Sequence, residues 1–149
     1  MAKSPKGPAG NTPPSNEIKK ILQTTRKIAI VGLSPKEERD SNKVAKYLIE
    51  QGYDIVPVNP GRKEILGKTC YKTVTDIPFP VDVVDLFLNS ERVPPVVDQA
   101  IAIGAPILWM QLGVIHNEAA QKATEAGMTV VMDRCIMDDH KILFPEPAS

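Results

Sequence analysis

Five short apolar runs, with stretches of helical periodicity between them, constrain this chain more than any single motif does. The runs are KIAIVG at 27–32, YDIVPV at 53–58, VDVVDLFL at 81–88, PILWM at 106–110 and MTVVM at 128–132. Such compact, β-branched runs read as strands covered on both faces. Pro57 cannot donate to a ladder, which places it near the end of the second strand. The intervening stretches read as helices. One carries Val44, Ala45, Leu48 and Ile49, with Ser41 and Asn42 as its N-cap and Gly52 as its stop. Another spans 93–103, with Pro94 and Pro95 tolerated in its first turn, and an alanine-rich one spans 117–126. A short helix bearing Ile18, Ile21 and Leu22 opens at Ser15, and residues 134–143 form the last. Strands separated by such helices run parallel, with helices on both faces. The expected fold is α/β: a Rossmann-like, doubly wound, parallel five-stranded sheet in a three-layer αβα single domain, with strand order 3-2-1-4-5.

Other features narrow the class. The 149 residues hold 18 basic and 18 acidic side chains, so the basic excess of an electrostatic nucleic-acid binder is missing. No apolar run is long enough to span a membrane. Cys70 and Cys135 give no metal spacing and no disulfide framework, and the first residues lack the apolar core of a secretory signal. A cytoplasmic location is expected. Residues 1–16, with four prolines, read as a flexible tail, 17–143 as the domain and 144–149 as a second tail.

In such sheets ligands bind beyond the carboxyl ends of the strands. After the first strand come Gly32, Leu33 and Ser34, then Arg39 and Asn42 near a helix start. A glycine there lets backbone approach a phosphate, the helix end offers free N–H groups, and Arg39 offers a guanidinium fork. The full dinucleotide fingerprint is absent, and an ordinary tight turn is the alternative reading. After the second strand come Val58, Asn59, Pro60, Gly61, Arg62 and Lys63. No acid stands there to bind a ribose diol, and Arg62 or Lys63 suits a sugar phosphate: the 2′-phosphate of NADP or the 3′-phosphate of coenzyme A. A Pro-Gly turn with solvated charges is the plain alternative.

Residues 27–34, the block Arg39 to Asn42, residues 56–60, 81–88 and 109–113, and the closing stretch 132–140 together resemble the small stand-alone coenzyme A-binding domain proteins. That domain is similar to the coenzyme A-binding part of the succinyl-CoA synthetase alpha subunit. The resemblance covers residues 17–143 and implies a groove across the strand ends. It implies that Gly32, Leu33, Ser34, Arg39 and Asn42 hold the pyrophosphate, and that Val58, Asn59 and Pro60 flank the adenine and ribose. It also implies that Leu88 and Asn89 line the pantetheine arm, and that Gln111 and Gly113 close the far side. Arg62 and Lys63 are an electrostatic assignment that the motif does not fix.

The expected function is therefore binding of coenzyme A or a short acyl-CoA, without a complete catalytic apparatus. The alternatives are an NAD(P)-binding redox protein, or one subunit of a split acyl-CoA synthetase. A homodimer through an exposed apolar face of the first helix, or a separate enzyme partner, is compatible with this. Cys135 and His140 lie five apart, which does not bring two side chains to one helix face. His116 reads as a polar loop residue. Asp82 and Asp85 fall on opposite sides of a strand and cannot pair. Trp109, Met110 and Met132 read as core.

Overall fold

A computed structural model describes residues 13–145. Its main sheet has five parallel strands: β1 (Lys27–Val31), β2 (Asp54–Val58), β5 (Val83–Leu86), β6 (Ile107–Met110) and β7 (Thr129–Val131). Two further short strands, β3 (Glu64–Ile65) and β4 (Lys68–Thr69), form a separate antiparallel hairpin. The helices are α1 (Ser15–Thr24), α2 (Asp40–Glu50), α3 (Val93–Ala102), α4 (Asn117–Glu125) and α5 (Ile136–Leu143). Pro94 and Pro95 occupy the first turn of α3, where their missing N–H groups cost nothing.

Strand alternation divides the core into two layers. Ala29, Val31, Val84, Leu86, Leu108 and Met110 face α3 and α4. Ile28, Ile30, Val83, Trp109 and Val131 face the opposite way, toward α1, α2 and α5. Trp109 and Met110 are fully buried and Met132 nearly so.

The strand order is β2-β1-β5-β6-β7, which in the order of the five predicted strands is 2-1-3-4-5 and corrects the expected 3-2-1-4-5. Pro57 supplies the physical reason. Its carbonyl accepts the Tyr71 N–H on the side of β2 away from β1, so its ring nitrogen lies where an outer strand would need a donor. That edge is closed by the isolated bridge between Val58 and Tyr71, and the third predicted strand pairs with β1 instead. The switch point therefore lies between β1 and β5.

Two local expectations also change. Ser41 and Asn42 lie inside the first turn of α2, whose N-cap is Arg39 with no side-chain cap, because both side chains are used elsewhere. The apolar face of α1 is not exposed: Ile18 and Leu22 are buried within the chain, and α1 packs on α5, so that face offers no dimer surface. Helix α1 begins at Ser15, as its sequence pattern predicts, and Phe144 stacks on His140 at 4.8 Å. The rest of the two tails, 1–12 and 146–149, lies outside the described residues.

Candidate functional site

The loops leaving β1 and β2 meet at the carboxyl end of the sheet because side-chain amides tie them. Asn59 Nδ2 donates to the Leu33 carbonyl at 3.0 Å, and Asn59 Oδ1 accepts the Gly61 N–H at 2.8 Å. Leu33 itself is fully buried, so it contributes backbone and no ligand-facing side chain. Ser34 is clamped at both ends of its own backbone. Its N–H donates to Ser41 Oγ at 2.9 Å, and its carbonyl accepts Asn42 Nδ2 at 2.8 Å. The Ser34 hydroxyl then accepts the Lys36 N–H. Removing the Ser41 hydroxyl leaves the Ser34 N–H without its partner. Ser41→Ala should lower stability by about 1 kcal/mol, visible as a small drop in thermal midpoint. An unchanged midpoint would show that the clamp is not strained against solvent.

Gly32 adopts φ +85° and is closely packed on the side where a Cβ would stand. Its N–H donates to the Val58 carbonyl at 2.9 Å. A Cβ there would fall on the carbonyl oxygen of Phe87, with Leu88 Cδ2 at 3.4 Å. The glycine is required by the close approach of the segment leaving β5, which brings Leu88 to the switch point.

Above these anchored loops lie free cations. Lys36, Arg39, Arg62 and Lys63 are exposed and form no ion pair among the described residues. Nearby Glu37 is bound to Lys46 Nζ at 2.8 Å, and that hydrogen bond holds its carboxyl below the usual range. Glu38 and Asp40 remain exposed beside them. The eleven-residue helix α2 starts at the same end, with its positive dipole end toward the loops.

The remaining predicted residues separate into two groups. Val58 is buried at the end of β2, Pro60 is exposed, Leu88 is half-buried and Asn89 exposed at the β5 end. Gly113 is exposed at φ +85°, its N–H held by Asp133 Oδ1 at 2.7 Å. Gln111 does not turn to this surface: it is buried, and its Oε1 accepts the Ile136 N–H to seat the start of α5. The side chain of Asn42 is likewise buried behind the loop. Sequence reasoning missed Ser41 as a clamp and Asp133 as the anchor of Gly113. The latter's φ of +61° is a conformation Asp tolerates better than most residues.

The other reactive side chains have local duties. His116 caps α4, its Nδ1 accepting the Ala119 N–H at 3.1 Å. His140 Nδ1 lies 2.7 Å from the Tyr47 hydroxyl, and burial lowers its pKa. Cys135 is half-buried at the N-cap of α5, and the Cys70 thiol is raised in pKa by burial. Asp82 accepts the N–H groups of Arg26 and Lys27 at the opposite end of β1. A cavity of about 750 Å³ also opens at that opposite end, lined by Thr25, Arg26, Tyr53 and Asp54 among others, remote from the strand-end loops. Among the described residues no group of three or more metal-ligating side chains converges, and no helix is long and apolar enough to cross a membrane.

Comparison with known proteins identifies the family. A family model described as CoA binding domain matches residues 26–141. The chain is similar to the uncharacterized protein YneT of Bacillus subtilis, 41% identical over 130 residues, covering 87% of this chain and 96% of that protein. It is 27% identical over 119 residues to the ADP-forming acetate–CoA ligase I of Archaeoglobus fulgidus, matching 73% of this chain and 17% of the ligase. Among solved structures, a hypothetical protein from Pyrococcus horikoshii OT3 superposes with a TM-score of 0.87 at 44% identity, covering 96% of this chain and 99% of that one.

Proposed function

The chain belongs to the CoA binding domain family, and on that premise we propose that it binds coenzyme A or a short acyl-CoA across the carboxyl ends of β1, β2, β5 and β6. One observation carries the reading: two loops pinned together through Asn59 and Leu33 present four unpaired cations beside the start of α2. The residues fit the ligand's chemistry. The hydroxyl of Ser34, the Arg39 guanidinium and the α2 N-terminus suit the pyrophosphate. Arg62 or Lys63 suits the 3′-phosphate, and Pro60 beside the end of β2 gives an apolar wall for the adenine. Leu88, Asn89 and the Gly113 turn lie along the path of the pantetheine arm. Asn42 and Asn59 act in this reading from behind, by holding the loop after β1, and Gln111 by seating the start of α5.

Calorimetry against coenzyme A, NADP and NAD tests it. Saturable binding of coenzyme A is expected, with dephospho-CoA binding roughly tenfold more weakly through loss of one charge-assisted contact. Equal affinity for the two would remove Arg62 and Lys63 from the site. Binding of NADP or NAD without coenzyme A would replace the reading with a redox one.

The similarity to part of an ADP-forming acetate–CoA ligase favours a second reading, in which the bound thioester is handed to a separate enzyme chain. Specific co-purification of such a chain supports it.

A further inference from the structure

Among the described residues, three buried side-chain oxygens have no hydrogen-bond partner: Oδ1 of Asn42 and both carboxyl oxygens of Asp85. They belong to one layer of the protein. Asp85 shares its face of β5 with Val83 and stands in register between Ile30 of β1 and Trp109 of β6. Asn42 lies on the buried side of α2 near Ala45, which packs in that same layer. Its Nδ2 is committed to the Ser34 carbonyl, so Oδ1 is the end of the amide left to be satisfied.

All three atoms are acceptors when Asp85 is ionised, and no donor is hydrogen-bonded to them, although the half-buried Cys135 packs against the same layer. On α2, Lys43 is exposed and Lys46 is bound to Glu37. On and before α5, Asp139 is held by two hydrogen bonds from Arg134, Asp138 and Lys141 are exposed, and His140 faces Tyr47. On α1, Glu17, Lys19 and Lys20 are exposed. On β6, the Trp109 indole N–H donates to the Arg134 carbonyl. A neutral carboxyl changes the count, because it carries one O–H donor. One enclosed water supplies two more donors and accepts one bond.

We infer that Asp85 is a positioning residue for the strand-end site, joined as a neutral acid through one enclosed water to Asn42 Oδ1 and so to the amide that grips Ser34. The Asp85 O–H donates to the water, and the water donates one hydrogen to the other Asp85 oxygen and one to Asn42. All three acceptors and the added proton are then paired. Burial raising the Asp85 carboxyl well above the usual range agrees with that proton being held. The consequence for ligand affinity rests on the coenzyme A reading, whereas the link between Asp85 and Asn42 does not.

The test combines Asp85→Asn, Asp85→Ala, Asn42→Ala and the Asp85→Ala/Asn42→Ala double variant with labelled wild-type protein. The Asp85 carboxyl carbon should show the neutral-acid NMR signal at pH 7. Asp85→Ala and Asn42→Ala should each weaken coenzyme A binding about tenfold, and the double variant no further. Asp85→Asn keeps a donor and should recover most of the loss, while abolishing a fall of affinity with rising pH seen in the wild type. An ionised signal at pH 7, additive losses, or Asp85→Asn behaving as Asp85→Ala would overturn the inference. If the wild type binds no coenzyme A, the functional reading fails, and the same double-variant cycle on thermal midpoint decides the link alone. If Asp85→Ala does not fold, the wild-type signal and the Asp85→Asn variant decide it.

Discussion

Gly32→Ala should lower stability by roughly 3–5 kcal/mol, whereas Gly113→Ala, at the same φ of +85°, should cost only about 1–2 kcal/mol. Both substitutions pay the left-handed penalty of an L-residue. They differ in what the new methyl meets. At Gly113 nothing lies within 4 Å of it, while at Gly32 it falls on the Phe87 carbonyl oxygen. That oxygen belongs to backbone that cannot swing aside, since the Phe87 N–H is bonded to the Val31 carbonyl. The difference between the two variants therefore isolates the cost of prising β5 from β1 at the switch point. A domain of this size has about 5–15 kcal/mol in all, so Gly32→Ala should melt at least roughly 10 °C lower. Equal midpoints would mean that the two segments are not in contact there.

The same glycine shows which parts of the site were legible in the sequence. A glycine ending the first strand signals a special backbone, and that much is correct. Protein backbone packed on the Cβ side of Gly32 already requires the glycine, a contact that no strand-end pattern reports. Periodicity placed the strands and helices because burial on two faces demands apolar runs. It carried no information on which edge of β2 is paired. Pro57 did, since a residue without an N–H facing outward marks an edge strand, and weighing it fully would have excluded a central second strand. Residue type marks the loops as contact residues, and folding divides the labour among them. Asn42, Asn59 and Gln111 spend their amides on the protein's own backbone. Arg39, Arg62 and Lys63 remain free. Residue type alone cannot separate those roles, because an amide that binds a phosphate oxygen and one that binds a carbonyl look alike until the chain is folded.

Asp85 stands alone within an apolar strand, with Asp82 on the other side. Its isolation is what matters energetically. An ordinary carboxyl titrates near 3.9, and burial pushes the folded-state value of Asp85 well above that. Between those two values the folded protein holds a proton that the unfolded chain has released, so this group makes stability fall as pH rises. Its contribution is complete below about pH 4 and is lost progressively up to the folded-state value. Asparagine at position 85 cannot titrate. The stability of Asp85→Asn relative to wild type should therefore improve with rising pH above about pH 4, by up to about 1.4 kcal/mol per pH unit until the folded-state group titrates. In thermal melts this is a relative shift of roughly 3–5 °C per pH unit in favour of the variant, whatever the offset at low pH. Melting points that keep a constant gap across this range would mean that Asp85 is ionised and paired in the folded state. The pH at which the gap stops widening reads the folded-state titration directly. One proton serves both clamp and core, so the decline in coenzyme A affinity of the wild type should begin in that same pH range.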